Sequence, residues 1–536
     1  MGDFVQGEAE PSRGLTETSE TFERDDEEST RRRLALIDRA VQIVLAGAAL
    51  IVLGSAAILT AGHISDRYNV NHVAGAWMGL ARAFRHGELY LPLYDHGYFG
   101  GTRYMPLPII VHGGLARVSG EYLVSGKLAS AIVAVLLFGL VLVLLRRLGS
   151  SWAFSLGLIA AVIATPSGLV ALTGIRGDGL SVLLQVSAVA LVAASVRSRT
   201  VVAAGALSAL ALMSKLSAVW APLAILLWLL PRDRRRAGLF LGVWLGSVGV
   251  LVALLELLSG GRMLENVGTL AFAGGGSSPT AALSSLLDDR ANLGGHAIWL
   301  LLPIALYAVL LSAARRRLTL WQIALLVELP ILVVIFEGAG SDYNHLIDLG
   351  VLTVLVVGEW VAWSLVRPQA KPMASVATAN ILVALVLLLG IGQSYVGSMK
   401  GEVRGAAEIL AGRDPTAYPL HPLDEYVKQD DALLSEDPSI PLLMGRRPVV
   451  LDAFMLPRLE SRHPRWIREL SSRIRAHEFD EIVLLQPITN VVWFAHTDFG
   501  SNVSGAIRDN YELKAHVQSS ASGAADYWVY VPATRT

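Results

Sequence analysis

The chain contains no cysteine, so a disulfide, a thiolate metal site and a thiol nucleophile are all excluded. Charge is scarce as well. Only 17% of the 536 residues are Asp, Glu, Lys or Arg, where soluble proteins carry roughly 25%. The net charge of −1 provides no basic surface, which argues against a nucleic-acid partner. There is no H-E-x-x-H motif, so a zinc site of that kind is excluded. The glycine-rich stretch Gly274 to Pro279 has no following Gly-Lys-Ser/Thr, which excludes a nucleotide P-loop there.

What is abundant is apolar surface. The chain is 53% hydrophobic with a mean hydropathy of +0.51. A helix needs about 20 apolar residues to cross a bilayer. Such runs occupy 40–62, 123–145, 152–173, 179–196, 237–258, 294–313, 318–336, 346–366 and 374–396. Residues 200–213 and 216–230 form a tighter pair, each short for a full span. The expected fold is therefore mostly α: a polytopic membrane protein of about eleven transmembrane helices.

The loops between these runs alternate in chemistry. One set carries bare basic clusters, from Arg146-Arg147 through Arg315 to Arg317 and on to Lys371. These inner loops hold thirteen basic residues, whereas the later outer loops have only Arg176, Lys215, Arg262 and Arg290. Short basic loops stay cytoplasmic, so the second set belongs on the far face. That set is site-like: Ser65 to Asn69, Arg176-Gly177-Asp178, Ser214-Lys215 and Ser341 to His345.

Three domains follow. Residues 1–37 read as a disordered acidic cytoplasmic tail, with ten acidic residues in the first 30. Residues 38–398 form the transmembrane domain, its first helix an uncleaved anchor behind Arg31 to Arg33. Residues 399–536 read as an extracytoplasmic α/β domain, with strands near 433–435, 448–451, 482–485 and 528–531 and a helix over 466–477. The first outer loop carries two interfacial helices, one amphipathic over 71–85 and one short and apolar over 107–118. The loop 259–293 reads as flexible and lid-like.

Each candidate has two readings. Asp66, just after the first span, is either a general base for an acceptor hydroxyl or a helix cap. Arg176 and Asp178 flank a glycine that lets a ligand approach, or they form an interfacial turn. Lys215 is an anion-binding cation or a turn residue, and Arg103 with Tyr104 repeats that signal more weakly. Asn344 and His345 open a helix whose N-terminus favours anions, with Asp342 either beside them or acting as the cap. The metal ligands are unknown; a divalent ion between Asp66 and Asp178 is one option. Glu328 falls mid-span, two residues before Pro330, and is a proton-coupling or kink residue.

The pattern resembles the integral-membrane glycosyltransferases of the GT-C superfamily, over roughly residues 40 to 396. The family 39 and rhizobial lipopolysaccharide-type branch, which uses polyprenyl-phosphate sugars, is most similar. The resemblance is carried by Asp66, the Tyr-x-Pro-x-Pro element Tyr104 to Pro108, Arg176 with Asp178, Lys215 to Pro222, and Asn344-His345. It implies inverting transfer of a sugar from a polyprenyl-phosphate donor to an extracytoplasmic glycan, lipid or protein. Asp66 would be the base, Asp178 a second acid or metal ligand, and Arg176 and Lys215 the phosphate stabilisers. The absence of any Asp-x-Asp triplet fits a lipid-linked donor. The chain departs from the family in having no second acid beside Asp66. Two alternatives stand beside this: a transporter or flippase of lipid-linked sugars that depends on Glu328, and a non-catalytic cell-envelope protein. The expected location is the plasma membrane.

Overall fold

The structure is a computed structural model that describes residues 14–64, 72–271, 273, 278–288, 296–338, 341–366, 373–412, 422–518 and 526–534. Helices dominate it. The first part of the chain forms α1 (Gly14–Ile64), α2 (His72–Arg85), α3 (Pro106–Ser119), α4 (Tyr122–Leu148), α5 (Trp152–Ile163) and α6 (Pro166–Thr173). Next come α7 (Asp178–Ala194), α8 (Ser198–Ser214), α9 (Trp220–Leu229), α10 (Arg234–Leu258), α11 (Arg262–Leu270) and α12 (Pro279–Asp288). The bundle is completed by α13 (His296–Ala314), α14 (Leu320–Glu337), α15 (Ile347–Val366), α16 (Met373–Ser394) and α17 (Lys400–Leu410).

Among the described residues seven helices are long and apolar enough to cross a membrane, with α7, α8 and α9 as shorter apolar helices. The apolar run 152–173 is not one straight span. It breaks between α5 and α6 with an 83° bend. Pro166 ends the incoming helix and Thr165 caps the outgoing one by accepting from the Gly168 N–H. The helical hydrogen bonding of α1 runs back to Gly14, into the acidic segment expected to be disordered. Glutamate is a good helix former, and a helix once nucleated extends cheaply.

The boundary expected at 398/399 falls inside helical structure. A π-helical turn, Tyr395–Met399, links α16 to α17. Met399, Ala406 and Ile409 pack into the core of the bundle. Gly62 makes this packing feasible, because a Cβ there would stand 2.6 Å from that of Ala406. The sheet-bearing domain therefore begins beyond α17.

That domain has a four-stranded sheet of β1 (Leu433–Ser435), β2 (Glu481–Leu484), β3 (Tyr511–Val517) and β4 (Tyr527–Pro532), in the order β1-β2-β4-β3. β1 and β2 are parallel and the other pairs antiparallel. The helices Pro464–Arg475 and Gly500–Asn510 pack over it. β3 has alternating charge and lacks an apolar run, which hid it from a hydropathy reading. Residues 448–451 make no strand of this sheet. Val450 instead bridges Phe99 of the first loop.

The first loop is the mortar between bundle and sheet domain. α2 is buried on most of its surface, held between α3 and the helix Ser439–Leu443. Gly75 and Gly79 face that contact, where a Cβ would collide with the Ser439 backbone and with Leu451 respectively. Part of the expected lid is also docked: Asn266 of α11 is fully buried, accepts from the Thr102 N–H at 2.7 Å and donates to the Leu91 carbonyl. Gly274 to Ser277 lie outside the described residues.

Candidate functional site

Residues far apart in sequence meet at one end of the bundle. Asp178 is the first residue of α7, where the positive end of the helix dipole favours a carboxylate. Its Oδ1 is 2.6 Å from Lys215 Nζ and accepts from Asn344 Nδ2 at 3.0 Å. Both charged side chains are close to 90% buried, so water screens the pair only weakly. Gly177 explains how the turn fits. A Cβ there would lie 2.6 Å from Pro108 Cγ and 3.2 Å from the Ser214 carbonyl. The α6–α7 turn is thus wedged between the start of α3 and the end of α8.

Arg176, Asp178 and Asn344 line one small cavity together with Ser130 and Ser167. Arg176 also borders a second, more apolar cavity with Trp77, Pro108, His112 and Val133. The Nε of Arg176 and the Nδ1 of His345 are buried without a hydrogen-bond partner among the described residues. Buried polar atoms of this kind normally have partners. A cationic wall with the unused Arg176 donor has the chemistry to hold an oxyanion such as phosphate.

Beneath this wall runs a polar column that hydropathy did not reveal. Asp348 accepts from Trp220 Nε1 at 2.7 Å and from Gln185 Nε2 at 3.3 Å, while Gln185 Oε1 accepts from the Ala221 N–H. Glu328 lies within reach of the charges of Asp348 and Lys215, and its Oε2 has no hydrogen-bond partner among the described residues. Asp348 lies in an apolar run three residues past His345, a spacing that only became legible once the helix was placed. Lys127, buried in the first turns of α4 and within charge range of His63, was likewise missed. A lone lysine inside an apolar run is the signal that would have found it.

On the side facing the sheet domain, Tyr104 stacks on Trp77 with ring centroids 4.4 Å apart. Its backbone carbonyl accepts from the Tyr90 hydroxyl at 2.8 Å. Burial pushes the Tyr104 hydroxyl up to about 12, Asp452 and Asp178 adding to this and Arg103 and Arg176 opposing it. Arg103 lies over the Phe454 ring at 4.8 Å and is within charge range of His345. Asp342 caps the turn Tyr343–Leu346 by accepting from the Tyr343 N–H, the plainer of its two readings. Burial raises its pKa above the usual carboxylate range. Of the sequence candidates, Arg176, Asp178, Lys215, Asn344, His345, Arg103, Tyr104 and Asp342 thus share one region. Asp66 lies outside the described residues. No group of three or more His, Cys, Asp or Glu side chains with metal-binding geometry occurs among the described residues.

This architecture is the GT-C glycosyltransferase fold. It is similar to the crystal structure of ArnT from Cupriavidus metallidurans in the apo state, with a TM-score of 0.55 and 16% identity over 90% of this chain and 97% of that one. The same enzyme bound to undecaprenyl phosphate matches with a TM-score of 0.54 at 15% identity, over the same shares of the two chains. The Archaeoglobus fulgidus oligosaccharyltransferase in complex with Zn and sulfate matches with a TM-score of 0.51 and 13% identity, covering 90% of this chain and 73% of that one. No protein-family model matches the sequence, and no curated protein does.

Proposed function

We propose that the chain is a membrane glycosyltransferase, of the family 39 kind, that moves a sugar from a polyprenyl-phosphate donor to an acceptor on the outer face of the plasma membrane. The observation that carries this is the convergence of Arg176, Lys215, Asn344 and His345 around Asp178, at the head of apolar helices. ArnT, which shares the fold, has been crystallised with undecaprenyl phosphate. An acceptor hydroxyl oxygen attacks the anomeric carbon as the bond to the phosphate oxygen breaks, with inversion. The hydroxyl proton passes to Asp66, and the polyprenyl phosphate leaves with its charge stabilised by Arg176 and Lys215. Asp178 holds Lys215 in place. Alternatively, Asp66 and Asp178 would hold a divalent ion that would supply positive charge to the leaving phosphate, and loss of activity on chelation, restored by added metal, is the signature of that use.

The test is sugar transfer from undecaprenyl-phosphate monosaccharides by the purified protein, compared with Asp66→Ala and Asp178→Ala. Full activity in both variants rules out the site assignment. The transporter reading draws on one observation, the buried Glu328. It requires Glu328→Gln to abolish lipid-linked sugar translocation in proteoliposomes; the transferase reading requires that variant to keep transfer activity.

A further inference from the structure

The two cavities at the head of the bundle share three residues, Ser130, Val133 and Arg176. Ser130 lies about two turns into α4. With Gly126, Ala129 and Val133 it completes an i, i+3, i+4, i+7 set, so these four residues form one face of the helix. All four line the more apolar cavity, and Ser130 is the only polar side chain among them. Glycine on the facing helix lets the two approach closely: a Cβ on Gly179, the residue after Asp178, would stand 3.3 Å from Val133 Cγ1.

Serine and threonine hydroxyls inside a helix commonly donate to the carbonyl four residues back. Thr173, Ser187, Ser208 and Ser214 all do so. The Ser130 hydroxyl makes no hydrogen bond among the described residues. The residue is only 7% exposed, yet its oxygen keeps accessible surface, unlike the sealed Nε of Arg176. The terminal nitrogens of Arg176 have no hydrogen-bond partner there either, and they too remain open. A hydroxyl proton and a guanidinium fork on the same two cavities can serve the oxygens of one oxyanion. Asp178 and Asn344 line only the first cavity, and Trp77 and Val111 only the second. The shared residues therefore mark where a polar headgroup would give way to an apolar chain. We propose that the Ser130 hydroxyl donates to an oxygen of the polyprenyl phosphate that Arg176 binds. This rests on the transferase reading above and adds to it a phosphate contact from α4.

The experiment uses the full-length protein in detergent micelles, titrated with undecaprenyl phosphate and followed by its thermal stabilisation. Ser130→Ala removes a hydroxyl that has no partner in the fold and installs the best helix former, so the Tm without ligand should not fall. Its affinity for undecaprenyl phosphate should drop about tenfold, the loss expected when a hydrogen bond to a charged group disappears. Donor KM, measured with undecaprenyl-phosphate monosaccharides, should rise by a similar factor. Ser130→Thr keeps a hydroxyl and should bind within about threefold of the wild type. If the wild type binds undecaprenyl phosphate and Ser130→Ala binds it equally well, the assignment falls and the transferase reading stands; a rise in donor KM alone then places Ser130 against the sugar instead. Equal losses in Ser130→Ala and Ser130→Thr, or a lower Tm without ligand in Ser130→Ala, assign the effect to packing and also overturn the proposal. If the wild type binds no undecaprenyl phosphate, the transferase reading itself fails and takes this contact with it.

Discussion

Asp178 and Lys215 behave as one unit. Each would be costly to bury alone, and the 2.6 Å contact with the added Asn344 bond offsets that cost. Substituting either should therefore leave the other charge stranded at the phosphate end of the site. We expect Lys215→Ala and Asp178→Asn each to lower transfer about a hundredfold or more, as when a preorganised transition-state donor is removed. The double variant should be little worse than either single one, since the two act together. Steady-state kinetics on the three proteins check this, and additive losses would show the pair to be independent. These two residues were readable in the sequence because charges are so rare in the outer loops. Asp348 and Gln185 were not, because a polar residue on the buried face of a helix leaves the local hydropathy almost unchanged.

At the level of elements, two seams carry predictions. The contact of α2 with the helix Ser439–Leu443 depends on Gly75, where any side chain would collide with backbone. Backbone cannot swing aside as a side chain can, so Gly75→Val should prise the sheet domain from the bundle. The expected result is rapid proteolytic release of the sheet domain, with loss of transfer and an intact bundle; unaltered digestion would disprove the seam. The second seam lies in the sheet. Glu481, at the start of β2, has its pKa raised to about 7, by burial first and then by Asp431, with Lys514 opposing. The folded state therefore holds a proton that the unfolded chain releases near its ordinary value of about 4.3. Between those two values folding takes up a proton, so stability declines as pH rises through about 7. Thermal unfolding of the full-length protein should show a lower Tm at pH 8 than at pH 5, with the difference reduced in Glu481→Gln.

For the molecule as a whole, the absence of cysteine is an experimental opening. A single cysteine at Arg316 and one at Glu478 should report opposite faces, as the basic loops imply. We expect Glu478→Cys to react with a membrane-impermeant maleimide in intact cells and Arg316→Cys only after permeabilisation. Labelling of both from the same side would overturn the topology.

Hydropathy was sufficient to predict the helical class and the apolar helices, because lipid forces backbone groups to be satisfied within each helix and so writes its demand into every stretch of twenty residues. It also predicted the two short helices of the first loop, Pro106 opening the second as its sequence position required. The 83° break at Thr165 to Pro166, the fusion of α16 with α17 and the docking of α11 were decided only by packing. So was the convergence of Arg176, Asp178, Lys215 and Asn344, contributed by three separate stretches of chain. Local sequence specifies which face of a helix is apolar; it does not specify which neighbour that face meets, and a site assembled from several helix ends exists only once those neighbours are chosen.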